Sequence, residues 1–91
     1  MVGIVNYKSL KAIHETPTGF QFVCVNNFDH VVNSFEIHRT DVNPYQDADN
    51  WARGQLIQNA FPYLDSGQRE MLITGITPEA WDNYKYNTEA L

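Results

Sequence analysis

An α+β domain, with a three-stranded antiparallel β-meander first and two or three helices after it, is what this sequence predicts. Three observations carry that expectation. The segments before residue 40 alternate in hydropathy and are separated by turn residues, the segments after residue 41 carry helix caps at regular intervals, and 91 residues suffice for one hydrophobic core rather than two. A single domain spanning 1–91 follows.

The strands come in order. In GFQFVCVNN, Phe20, Phe22 and Cys24 alternate with Gln21, Val23 and Val25, and the β-branched and aromatic content suits a pleated surface. Upstream, Val5 to His14 fits both an alternating and a helical pattern, but the following ETPTG supplies Pro17 and Gly19 for a hairpin turn and favours a strand. Asn26, Asn27 and Asp29 mark the next turn, and VVNSFEIHR forms the third strand. Such a sheet must cover one face with something else.

The second half supplies the cover. In DVNPYQDADN, Asp47 or Asp49 is expected to cap a helix running to about Ala60, with Ala48, Trp51, Ala52, Leu56 and Ala60 on one face and Pro62 as the stop. DSGQ then reads as a capping box from Asp65 to Gln68, leading into a short helix that carries Met71 and Leu72 inward and ends at Gly75. Finally, ITPEAWDNY offers Thr77 as cap, Pro78 at the first helical position, and Ile76 and Trp81 as apolar anchors, with NTEAL fraying at the end.

Composition narrows the function classes. Cys24 is the single cysteine, which excludes an intramolecular disulfide and a thiolate metal cluster and fits a reducing compartment. His14, His30 and His38 fall in no metal-binding spacing, and the isolated glycines form no phosphate cradle. No cofactor and no catalytic residue are therefore expected; a Cys24–His38 pair across neighbouring strands is the one enzyme-like alternative. The N-terminus lacks a signal-peptide pattern and no run is long enough to span a membrane, so a cytoplasmic location is expected. The net charge of −5 falls wholly in residues 41–91. That balance weighs against nucleic acid and points to a protein partner with a basic surface, a homodimer being the alternative assembly.

Two features are left for binding. One is the acidic stretch with Asp41, Tyr45, Asp47 and Asp49. The other is the aromatic load of the sheet, where Tyr7, Phe20 and Phe22, or the opposite set, are expected to be partly exposed because helices cover only one face.

The stretch QLIQNAFPYLDSGQREMLITGITPEAWD, Gln55 to Asp82, resembles a segment of small uncharacterised bacteriophage and prophage proteins through its ITGITPEAWD-type motif. The resemblance covers under a third of the chain and implies an origin in mobile elements, without a known activity. Small phage proteins of this kind act by binding, which suggests a non-enzymatic inhibitor of a host factor such as a defence nuclease complex. The alternatives are a phage accessory protein, or a nucleic-acid module that stacks bases on sheet aromatics. The last requires Lys8, Lys11 and Arg39 to share a face with Phe20 and Phe22.

Overall fold

The computed structural model describes residues 2–81, with side chains from residue 5 onward. It is α+β, with a four-stranded antiparallel meander rather than three strands. The strands β1 (Val2–Tyr7), β2 (Leu10–Thr16), β3 (Gly19–Val25) and β4 (Val32–Ile37) lie in sequence order across the sheet. The helices α1 (Pro44–Ala52), α2 (Ile57–Ala60) and α3 (Ser66–Thr74) follow, and residues 78–81 are helical.

The extra strand comes from the segment that fits two patterns. Val5 to His14 is not one strand but the end of β1, a tight turn and most of β2. The turn carries no glycine or proline; instead Asn6 and Lys8 both adopt left-handed backbone conformations, at φ 54° each. Asn tolerates that region better than most residues, whereas Lys does so at a steric cost that the surrounding structure must offset. Lys11 helps, because its Nζ donates to Asn6 Oδ1 at 3.1 Å and to the Lys8 carbonyl at 3.0 Å.

Pairing fixes the two sheet faces. Ile13, Phe22 and Phe35 lie opposite one another across β2, β3 and β4, as do Phe20 and Ile37 on the outer pair. This face is covered by the helices, and Phe22 and Ile13 are completely buried. Phe22 stacks on Phe35 with ring centroids 4.9 Å apart and meets Phe61 edge-on at 6.0 Å. The other face carries Ala12, His14, Gln21, Val23, Ser34 and Glu36, a mixed surface.

The first helix starts earlier than the acidic residues suggest. Asn43, not Asp47 or Asp49, is the N-cap: its side chain accepts from the Gln46 N–H, and Pro44 occupies the first turn. Pro is favoured there because its missing N–H would have no partner in any case. The run to Ala60 is also broken. Gly54, at φ 113°, closes the end of α1, and a separate turn of helix forms α2. Ala48, Trp51 and Ala60 are buried as expected, while Ala52 and Leu56 are exposed.

Downstream the caps agree with expectation. Asp65 and Gln68 form a reciprocal capping box, Gly75 is left-handed at the end of α3, and Thr77 Oγ1 accepts from the Ala80 N–H at 3.1 Å. Ile76 is buried, but Trp81 is 41% exposed and is no buried anchor. Tyr84, Tyr86 and the NTEAL segment lie outside the described residues.

Candidate interaction cleft

The last turn of α3 would leave carbonyls without partners if it ended in solvent. Here each is satisfied. Gly75 N–H donates to the Met71 carbonyl, Ser9 N–H to that of Leu72, Asn27 N–H to that of Thr74, and Asn33 Nδ2 to that of Gly75. The Ser9 hydroxyl lies 3.0 Å from both the Ile73 carbonyl and Asn27 Oδ1; its single proton is shared between them in a three-centred bond. These contacts lock α3 to the turns at one end of the sheet.

The α1 side is built differently. Tyr45, Ala48, Asp49 and Ala52 fall at steps of three and four residues, so they share one face of α1. That face looks onto Val5, Asn6 and Tyr7 of β1, and between them lies a cleft of about 330 Å³ lined by these seven residues. The two alanines create it, because larger side chains at those positions would fill the gap. Tyr7 forms one wall, held edge-on against Trp51 at 4.7 Å, with Lys8 Nζ 5.5 Å from its ring centroid. Tyr45 forms the other, edge-on to Phe20 at 5.9 Å. Burial, and secondarily the charge of Glu15, raise the Tyr45 phenol above its ordinary pKa, so the wall is a neutral hydroxyl at physiological pH.

The structure brings Tyr7, Tyr45 and Asp49 together at this cleft and separates the other expected residues from it. Asp49 is paired with Arg53 at 2.9 Å, both side chains at least half exposed, an arrangement weak enough to exchange partners. Asp47 instead accepts from the Tyr63 hydroxyl at 2.7 Å. Burial foremost, then this bond and the Asp47 charge, hold Tyr63 protonated far above the usual tyrosine range. Asp41 forms a two-pronged pair with Arg39, at 2.6 and 3.0 Å, on the surface. The hydrogen bond from Arg39 holds its carboxyl below the ordinary value.

Phe20 and Phe22 require correction as candidates for contact with a partner. Both lie on the covered face, 8% and 0% exposed, because Ile37 and Phe35 beside them and α1 and Phe61 above them complete the core. Base stacking on these rings is closed off, and with it the arrangement that the nucleic-acid alternative needs. Cys24 is also fully buried, which pushes its thiol up to about 12. His38 follows Ile37, which pairs with Phe20, so it stands five residues along β3 from Cys24, or about 17 Å at strand spacing. Its Nδ1 contacts Thr18 Oγ1 instead, and no Cys–His pair forms.

Val5, Asn6, Ala48 and Ala52 are the cleft residues that the sequence does not offer as binding candidates, although Ala48 and Ala52 are expected on one face of a helix. The i, i+3, i+4, i+7 stripe from Tyr45 to Ala52 is the signal for half of them, once Asn43 is recognised as the cap. Among the described residues no cluster of metal-ligating side chains occurs, and no helix is long and apolar enough to cross a membrane. No protein-family model, curated protein or solved structure matches the chain.

Proposed function

We propose that this chain is a non-enzymatic, cytoplasmic binding protein of a phage or mobile element that inhibits a host factor through contact with a basic protein surface. The observation that carries the reading is the cleft itself, where two aromatic walls and an exposed carboxylate flank a floor of small residues. Aromatic side chains offer large contact area at low entropic cost, and a rim charge steers association. The net charge of −5 favours encounter with a basic partner, such as the nucleic-acid channel of a defence nuclease complex. Its 11 acidic residues are too few to imitate the charge density of a phosphate backbone, so recognition rests on local shape as well as on field.

The test is site-specific photo-crosslinking in bacterial lysate, with a photoreactive amino acid in place of Ala52 and, as a control on the sheet face opposite the helices, in place of exposed Ser34. The expected result is one protein captured from the cleft position alone, which then binds the parent chain when both are purified. Equal capture from both positions, or tight binding of single-stranded nucleic acid without a protein partner, would contradict the proposal.

A further inference from the structure

We infer that β1 accepts an added strand, an extended partner segment whose apolar side chains enter the cleft beside α1 and whose lysine or arginine meets Asp49. The inference rests on the binding function proposed above and names the chemistry of its partner.

Three observations lead to it. First, β1 ends the sheet, and among the described residues it pairs with β2 alone. A terminal strand presents backbone donors and acceptors to any extended chain alongside. Second, the two edges are protected unequally. β4 carries Glu36, and Asn33 on it is tied to the Gly75 carbonyl; VGIVNY of β1 holds no charge and no proline, the usual devices against pairing. Only the register irregularity between Ile4 and Tyr7 interrupts it, so the residues from Val2 to Ile4 form its regularly paired stretch. Third, the cleft lies between α1 and the end of this strand, Val5 to Tyr7, next to the regularly paired stretch. Its 330 Å³ is near the small end of ligand pockets, about 300–1,000 Å³, a size suited to individual side chains of a peptide.

Charge selects the occupant. A second copy of this chain would bring another net −5, concentrated in its helical half, to a cleft lined by Asp49, with Lys8 and the Asp49-paired Arg53 as the nearby cations. A segment with lysine or arginine gains from that carboxylate, because the exposed Arg53 pair can open to admit it. Strand addition supplies affinity through the backbone, and the cleft supplies selectivity through alternate side chains.

The probe is a display library of random nonapeptides, selected against the full chain, followed by hydrogen exchange of the chain with the best selected peptide. Enriched sequences should alternate apolar residues with lysine or arginine, and the bound peptide should slow exchange in β1 by about tenfold or more. Ala52→Trp, at an exposed helix position, should weaken binding by about tenfold through filling the cleft. Asp49→Lys should weaken it several-fold and shift selection toward acidic peptides. Acidic or non-alternating sequences from the parent, protection confined to β4, or no enrichment at all would overturn the inference. So would sedimentation showing a dimer with β1 protected in the absence of peptide. The two readings fail separately. A partner that crosslinks in place of Ala52 yet leaves β1 exchange unchanged removes strand addition and keeps the binding function. Peptide addition to β1 without any captured protein does the reverse.

Discussion

The two ends of the helical layer meet the sheet in opposite ways. At the C-terminal end of α3, carbonyls from residues 71 to 75 find donors, four of them through groups from Ser9, Asn27 and Asn33 that lie far away in sequence. At the C-terminal end of α1, the carbonyls of Asp49, Asn50 and Trp51 are closed by the N–H groups of Arg53, Gln55 and Gly54, all within the next few residues. The first end ties three parts of the chain together. The second terminates locally, and the small side chains of Ala48 and Ala52 leave a cleft between its helix and β1. Long-range satisfaction of backbone groups builds stability, and local satisfaction leaves surface for binding.

The largest effects should therefore come from the α3 end. Gly75 sits at φ 74°, and a Cβ there would be driven into the Val25 carbonyl. Gly75→Ala should cost about 3 kcal/mol or more, combining a left-handed backbone with overpacking, and urea unfolding should show it as a lowered midpoint at unchanged slope. Phe61→Ala should cost about 3–5 kcal/mol by the same measurement, since the ring is wholly buried between Phe22, Trp51 and Tyr63. Ser9→Ala leaves the Ile73 carbonyl with only the longer 3.4 Å bond from Asn27 Nδ2, and should cost about 1–3 kcal/mol. If Ser9→Ala melts like the parent, the hydrogen-bonded end is not the stabilising one.

A pH dependence sharpens the same contrast. The Cys24 thiol stands at about 12 in the folded chain against an ordinary value of 9.0, because burial penalises the thiolate. Its proton is thus held more tightly when folded, so the contribution to stability is complete below pH 9 and drains away as pH rises toward 12. Thiol labelling at pH 8 should proceed no faster than unfolding exposes the residue. Labelling at the rate of a free thiol would show the sheet core to be open.

How far the sequence discloses this structure depends on where signals are local. The Asp65–Gln68 capping box, Gly75 and Thr77 were legible because each acts within a few residues of itself. The turn between β1 and β2 was not, since Asn6 and Lys8 take left-handed conformations without glycine, held by Lys11 across the hairpin. The start of α1 was obscured by two aspartates that attract notice as caps, whereas Asn43 performs that role and frees Asp49 for the cleft. Tyr7, Tyr45 and Asp49 were legible as candidates from their residue types. That they converge, while Phe20 and Phe22 turn inward, follows from pairing register, which no single segment encodes.

The smallest effects on stability are expected at the cleft. Ala52→Trp and Asp49→Lys change exposed positions of α1 and should leave the melting temperature within a few degrees of the parent. The central claim, that binding resides in the cleft beside β1 while stability resides at the α3 end, is tested most directly by one comparison. The affinity of the captured host protein should be measured for the parent, for Ala52→Trp and for Ser34→Trp on the sheet face opposite the helices, with each variant's melting temperature beside it. The expected result is a loss of about tenfold or more for Ala52→Trp alone, at near-parental stability. Binding retained in Ala52→Trp and lost in Ser34→Trp would contradict the account and move the interaction to the sheet face opposite the helices.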